Sequence, residues 1–355
     1  MPLDQNVSTA HYDLIVIGSG QAGNPLAAAF FAKGKRVVVI ERGAVGGTCV
    51  NYGCTPTKTM VASAEVANLG RRAHEFGVEI GGLKVDMKAV VARKNGIVTS
   101  SRSGSEKKFA NGIDLLRGEA SFIAPKQIRV ALDDGGEHML TADLIVIDTG
   151  LSPAVPDIEG LESVPHLDNV SIMEFNHVPA HLLVLGGGYI GLEFAQMFRR
   201  FGSEVTVIQH GSQLLEGEDE DIAEEIANLL RQDGIQILLE SKATSAAPDG
   251  NEIELTVERN GSSQVIKGSD LLIATGRKPN TTALNLHAAE IQTDEHGFIP
   301  VNERLETSVP GVYAVGDVKG GPAFTHIAYD DYRVLKANLL DGEDRVTTGR
   351  QVPYC

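Results

Sequence analysis

Two turns of the form Gly-x-Gly-x-x-Gly, far apart in the chain and each set between apolar strands, constrain this fold more than any other feature. In the first, Tyr12 to Ile17 reads as a buried parallel strand running into Gly18-Ser19-Gly20-Gln21-Ala22-Gly23 and an alanine-rich helix. The strand Arg36 to Glu41 follows. The first glycine permits the tight turn, and the second lets backbone approach a pyrophosphate. The third allows close helix–strand packing, with the helix N-terminus facing the phosphates. Glu41 stands twenty-one residues past Gly20, where a carboxylate can accept hydrogen bonds from ribose hydroxyls. A lone turn of this form says little; one flanked by two strands with a correctly placed acid says much.

The pattern recurs. Leu182 to Leu185 reads as a strand, Gly186-Gly187-Gly188-Tyr189-Ile190-Gly191 as the turn, Leu192 to Phe201 as a helix and Glu204 to Ile208 as the second strand. The residue twenty-one past Gly188 is Gln209, not an acid, so the two turns take different ligands. The plainer alternative is an ordinary βαβ unit with an incidental glycine turn. The fold class expected is α/β, with two Rossmann-like dinucleotide-binding domains.

Further segments fall in a telling order. Gly46-Gly47-Thr48-Cys49-Val50-Asn51-Tyr52-Gly53-Cys54 follows the first turn. Leu144 to Gly150 and Leu271 to Gly276 are apolar strands that end in Thr149-Gly150 and Thr275-Gly276. Thr307 to Asp317 reads as a strand ending in Gly316-Asp317. In this order the motifs resemble the pyridine nucleotide-disulfide oxidoreductases with a CxxxxC centre, which include lipoamide dehydrogenase, glutathione reductase and mercuric reductase. The resemblance covers about residues 11–345. It implies an FAD domain of residues 11–150 and 277–345, with an NAD(P) domain of residues 151–276 inserted at the two Thr-Gly crossings. Coil near Ser152-Pro153 and Pro156 is expected at the first crossing.

The resemblance also implies a redox-active Cys49–Cys54 pair. In a straight helix, residues five apart rise about 7.5 Å and sit about 140° around the axis, too far apart for a disulfide. The segment therefore cannot be regular helix throughout. Asn51 and Gly53 are expected to adopt unusual backbone angles, and Pro56 suits the opening turn of a following helix. That helix N-terminus would favour a thiolate. Two unrelated buried cysteines are the alternative.

Electrons are then expected to pass from a nicotinamide to FAD and on to the pair. Cys54 would face the flavin as a charge-transfer thiolate, and Cys49 would attack substrate. Lys58 matches a family lysine near the flavin, Glu193 its glutamate partner, and Tyr189 a tyrosine covering the nicotinamide pocket. Asp317 matches an aspartate that binds the ribitol chain, and Thr325 and His326 fall where backbone approaches the flavin. Cofactor contacts are expected at Gly18, Gly20, Gly23, Glu41, Thr48, Thr149, Gly150, Gly316 and Asp317 for FAD. For the nicotinamide nucleotide they are expected at Gly186, Gly188, Gly191, Gln209, His210 and Gly276. Gln209 does not repel a 2′-phosphate and His210 can add a donor, so a modest preference for NADPH is expected, with NADH also usable.

Composition excludes other classes. A length of 355 residues suits two or three domains, and the hydrophobic share of 42% and charged share of 22% are those of a globular protein. A net charge of −16 argues against nucleic acid or an anionic membrane as partner. The run Glu216 to Asp221 reads as a solvated loop entering a helix, and no metal site is expected. The opening MPLDQNVSTA has no signal-peptide pattern, and no apolar run approaches the roughly 20 residues needed to span a bilayer. Three cysteines do not make a secreted framework, so a cytoplasmic location is expected.

The resemblance stops short of the family's interface domain, which makes the dimer and carries a catalytic His–Glu pair. Residues 346–355 read as the start of that missing domain, and Cys355 has no evident partner. The whole protein is expected to be a homodimer and this chain a monomer. The expected function is reduction of a disulfide or of a metal ion such as Hg(II). The alternative is a catalytically incomplete FAD- and NAD(P)-binding fragment with diaphorase-type activity only.

Overall fold

The computed structural model describes residues 9–110 and 112–354; Cys355 and most of the opening segment lie outside the described residues. The chain divides into two compact units. One holds residues up to 51, 98–152 and 278 onward, and the other holds 52–97 and 153–277. Residues 52–97, expected within the FAD domain, thus group by contact with the second unit. Ser152 and Pro153, expected as coil, lie in a short strand.

In chain order the elements begin with β1 (Ala10–Ile17), α1 (Gly23–Ala32), β2 (Val37–Glu41), α2 (Gly47–Asn51), α3 (Cys54–Arg71) and α4 (Met87–Phe109). Strands β3 (Asp114–Ala124), β4 (Gln127–Leu132), β5 (Glu137–Ile147) and β6 (Leu151–Pro153) follow. Next come β7 (His181–Leu185), α5 (Tyr189–Phe201), β8 (Glu204–Ile208), α6 (Glu220–Gln232) and β9 (Gln236–Leu238). The strands β10 (Ser241–Asp249), β11 (Glu252–Arg259), β12 (Ser262–Gly268), β13 (Asp270–Ile273), β14 (Arg277–Pro279) and β15 (Val312–Ala314) precede α7 (Thr325–Leu340).

In the first unit β1 lies between β2 and β5 and pairs parallel with both, in register Ile17↔Ile40 and Ile17↔Ile147. β3 extends the parallel sheet beyond β2, and β15 extends it beyond β5. β4 pairs antiparallel with the far halves of β3 and β5. The unbroken apolar run of β1 follows from burial on both faces. Ile15 and Ile17 pack with Phe122 and Ile128 of the meander, and Leu14 and Val16 pack with Leu26 and Phe30 of α1 and Leu335 of α7.

The second unit repeats the plan with a parallel sheet ordered β13-β7-β8-β9. One face carries α5 and α3, with Leu182 and Val184 against Phe194, Phe198 and Met60. That packing is why residues 52–97 group here: Met60 and Ala64 of α3 are buried among α5 side chains. The other face, with Leu183 and Leu185, is covered by the antiparallel sheet β10-β11-β12 through Leu255 and Val257. Fully burying side chains of this size contributes about 1.5–3 kcal/mol each. Among the described residues no helix is long and apolar enough to cross a membrane.

Candidate functional site

The first turn is fixed by contacts that only glycine allows. Gly18 has φ +97°, and a Cβ on it would lie 2.3 Å from the Asp148 carbonyl oxygen. A Cβ on Gly23 would meet Val16 Cγ1 at 2.7 Å. Glu41, at the end of β2, is held from both sides. Its Oε2 accepts the Ser19 N–H at 2.9 Å and the Ser19 hydroxyl at 2.6 Å, and its Oε1 accepts the Gly43 N–H at 2.7 Å. The carboxylate thus stands at the strand end where a ribose is bound in this class of fold.

Asp148 was not a sequence candidate. Its side chain is buried, its Oδ2 accepts the Gly23 N–H at 2.7 Å, and a Cβ on Gly20 would lie 2.7 Å from that oxygen. Burial pushes the carboxyl up to about 8. The Gly23 hydrogen bond opposes the shift, while the charges of Asp317, Asp331 and Glu41 add to it. A signal existed in the sequence: β5 runs into Asp148-Thr149-Gly150, where the matching strand β13 runs into Ala274-Thr275-Gly276.

The turn that carries Gly316 and Asp317 is anchored beside the first turn. Gly316, at φ +65°, donates its N–H to Asp331 Oδ2 at 2.8 Å, and a Cβ on it would lie 3.1 Å from Asp148 Oδ1. Asp331 on α7 is fully buried and also takes Arg350 Nη1 at 2.6 Å and Lys319 Nζ at 3.2 Å. This holds in place the turn that carries Asp317. Thr325 opens α7, and the His326 ring stacks on Phe324. Thr149 Oγ1 is buried without a hydrogen-bond partner, and Gly150 beside it has φ +64°. Backbone-lined turn, pinned carboxylate and orphaned hydroxyl together fit the adenosine-diphosphate half of FAD.

The second turn opens on a cavity of about 550 Å³. Gly186, at φ +112°, packs on the Ala274 carbonyl, and a Cβ on Gly191 would lie 2.3 Å from the Gly186 oxygen. A Cβ on Gly188 would meet nothing within 4 Å, so the backbone there is open to a ligand. Tyr189 is half exposed at the cavity edge, and its hydroxyl accepts Arg277 Nη2 at 2.9 Å. Gln209 Oε1 accepts the Gly187 N–H at 2.7 Å, and its Nε2 donates to Glu216 Oε1 at 2.9 Å. His210 is exposed beside it, and Gly276, at φ +148°, lines the same cavity.

Cys49 sits partly exposed in α2 next to the exposed Thr48, and Cys54 is exposed at the first residue of α3. Pro56 lies in the opening turn of α3, and Gly53 before it has φ −136° and ψ −118°, which interrupts the helix. Asn51 does not take an unusual backbone angle. It is helical and buried. Its Nδ2 donates to the carbonyls of Ala44, Val45 and Gly47, and its Oδ1 accepts Arg102 Nε at 2.8 Å. Its amide therefore fixes the loop ahead of α2, and the break falls at Tyr52 and Gly53. On α3, Lys58 Nζ donates to Glu193 Oε1 of α5 at 2.5 Å, with the lysine side chain 72% exposed. Among the described residues no group of three His, Cys, Asp or Glu side chains is placed to hold a metal ion.

Known proteins resemble this chain in sequence and fold. The chain is 38% identical over 347 residues to a mercuric reductase of Staphylococcus aureus, covering 96% of this chain and 62% of that protein. It is 37% identical over 349 residues to the probable pyridine nucleotide-disulfide oxidoreductase RclA of Escherichia coli K12, covering 97% of this chain and 74% of that protein. A solved structure of the Cu(II) complex of the HOCl-induced flavoprotein disulfide reductase RclA from Escherichia coli superposes with a TM-score of 0.88 at 36% identity, covering 98% of this chain and 75% of that one. The chain spans 62%, 54% and 61% of the lengths of three mercuric reductases it matches. Residues 12–331 match the pyridine nucleotide-disulphide oxidoreductase family, and the chain belongs to it.

Proposed function

We propose that the chain is an FAD-dependent NAD(P)H oxidoreductase that passes electrons through Cys49 and Cys54 to a disulfide or a metal ion such as Hg(II). The observation that carries this reading is a pair of unlike nucleotide turns in one chain, Glu41 serving the first and Gln209 the second, with Cys54 opening α3. In this reading the first unit holds FAD and the second the nicotinamide nucleotide. The setting is a reducing cytoplasm.

Bound FAD would supply the two-electron chemistry, taking hydride from a nicotinamide and giving an electron pair to sulfur. The chain's own residues bind, orient and hold protons. The N-terminus of α1 faces a pyrophosphate, and Glu41 takes the ribose. The N-terminus of α3 favours the thiolate of Cys54. Lys58 and Glu193 form a pair that sets one cation, and Tyr189 stands over the second turn. Reducing a Cys49–Cys54 disulfide consumes two electrons and two protons and yields two thiols. The hydride carries both electrons and one proton, and solvent gives the other proton. A substrate disulfide is then attacked by Cys49 sulfur, and the exchange restores the protein disulfide and releases two substrate thiols. A metal ion such as Hg(II) would take the same electron pair from the dithiol, giving Hg(0), the Cys49–Cys54 disulfide and two released protons. Gln209 alone would leave room for a 2′-phosphate and favour NADPH, but Glu216 beside it works against that phosphate.

Anaerobic titration of the FAD-loaded chain with NAD(P)H tests the reading. Two electron pairs should be taken up, and two thiols should become newly reactive. Cys49→Ser should stop at one pair with no new thiol. Wild-type protein that takes one pair and gains no thiol would reduce the reading to a diaphorase. Turnover with Hg(II), Cu(II), glutathione disulfide and lipoamide then separates the acceptors.

A further inference from the structure

We infer that Glu216 selects the nicotinamide nucleotide, taking the adenosine ribose hydroxyls of NADH and rejecting the 2′-phosphate of NADPH. The inference rests on the second turn being the nicotinamide-nucleotide site. In a βαβ nucleotide fold the end of the second strand meets that ribose, and an acid there serves the 2′-hydroxyl. Here the residue that follows β8 is Gln209, whose side chain is already engaged: its oxygen takes the Gly187 N–H and its amide donates to Glu216. The negative charge missing from the strand end is therefore delivered from the following loop.

That loop is built onto the turn. Leu214 is buried, and a Cβ on Gly187 would lie 2.7 Å from Leu214 Cδ2. The Leu215 N–H donates to the Gly187 carbonyl at 3.0 Å. Leu215 has φ +48°, a left-handed conformation that a leucine adopts only where its surroundings impose it. The next residue is Glu216. Its Oε1 would lie 2.1 Å from a Cβ on Gly211, so glycine at 211 makes room for the carboxylate. Glu216 is exposed and lines the cavity, and among the described residues its second oxygen has no hydrogen-bond or ion-pair partner, which leaves it to accept from a ligand. The other charged or titratable groups lining that cavity are Asp157, Tyr189, His210, Lys242 and Arg277, the last donating to the Tyr189 hydroxyl. A 2′-phosphate would bring nearly two negative charges against Glu216, whereas a 2′-hydroxyl would donate to it.

Equilibrium binding of NAD⁺ and NADP⁺ to the FAD-loaded chain, by calorimetry, reads the choice without turnover. NAD⁺ should bind at least tenfold more tightly than NADP⁺. Glu216→Gln, which keeps an oxygen for Gln209 but no charge, should weaken NAD⁺, strengthen NADP⁺ and bring the two within about threefold. Equal or tighter NADP⁺ binding by the wild type, as Lys242 would produce if it captured the phosphate, overturns the inference. So does an unchanged ratio in the variant. A folded, FAD-loaded chain that binds neither nucleotide would instead sink the assignment of the second turn and the inference with it.

Discussion

Replacing Asp148 by asparagine should change how stability depends on pH, and the structure gives both sign and size. Burial, reinforced by Asp317, Asp331 and Glu41 and opposed by the Gly23 hydrogen bond, raises the carboxyl from 3.8 to about 8. Below about pH 4 both folded and unfolded chains carry this proton, and the group contributes nothing to the pH slope. As pH rises from there to about 8, the unfolded chain ionises and the folded one does not. Stability therefore falls by about 1.4 kcal/mol per pH unit, up to roughly 5 kcal/mol in all, and levels off above pH 8. Asp148→Asn keeps an oxygen to accept the Gly23 N–H and cannot ionise. Apart from any constant offset, the FAD-free variant should lead wild type by about 1.4 kcal/mol near pH 5 and gain on it steadily, ending roughly 5 kcal/mol more stable at pH 8.5. Urea unfolding of both proteins between pH 5 and 9 measures the gap. The other titrating groups are shared, so the slope of the difference belongs to this carboxyl, and a constant offset from the new amide leaves that slope unchanged. A gap that is flat, or that narrows as pH rises, refutes the reasoning.

Glu41→Ala removes the acceptor of the Ser19 N–H, the Ser19 hydroxyl and the Gly43 N–H. It also removes the acceptor for the ribose hydroxyls, so FAD binding should weaken by roughly tenfold or more, at about 1 kcal/mol for each ribose hydrogen bond lost, and an unchanged dissociation constant in equilibrium dialysis would count against the site. Lys58→Met breaks a pair whose lysine is 72% exposed. Melting should move by less than about 1 kcal/mol in stability while flavin reduction by NAD(P)H slows, and normal reduction kinetics would make the pair merely structural. Phe198→Ala empties a fully buried site beside Phe201, whose ring centroid lies 5.8 Å away. It should cost about 3–5 kcal/mol, and a denaturation midpoint close to wild type would show that the core refills.

What the sequence revealed is what local chemistry decides. The glycine turns announced themselves because, at Gly18, Gly23, Gly186 and Gly191, backbone angles or close approaches leave no room for a side chain. Glu41 at the end of β2 and Gln209 just past the end of β8 followed from spacing alone. The start of α3 was legible in Gly53 and Pro56. The rest depends on partners brought together by the fold. Asp148 reaches the Gly23 N–H across 125 residues of chain, and only a comparison of the two Thr-Gly crossings hints at it. Asn51 looked like a residue for an unusual backbone angle, yet its amide clamps the loop before α2. Glu216 read as part of a solvated acidic run, and nothing local marks it as lying against Gln209. The grouping of residues 52–97 with the second unit rests on Met60 and Ala64 meeting α5, a choice of neighbour that periodicity does not encode.

The order of strands in the two sheets also bears on how the chain is made. β13, the last strand of the second unit's parallel sheet, ends at Ile273, whereas β15, which completes the sheet of the first, spans Val312–Ala314, followed by α7. As the ribosome releases the chain from its N-terminus, the second unit has all its strands before the first does. Through that interval β1, β2 and β5 lack both the edge partner β15 and the α7 side chains that cover Leu14 and Val16. The unit whose first strand is translated first is thus the unit whose sheet is completed last, and its long-range parallel pairing makes it the slow and aggregation-exposed part of the nascent protein.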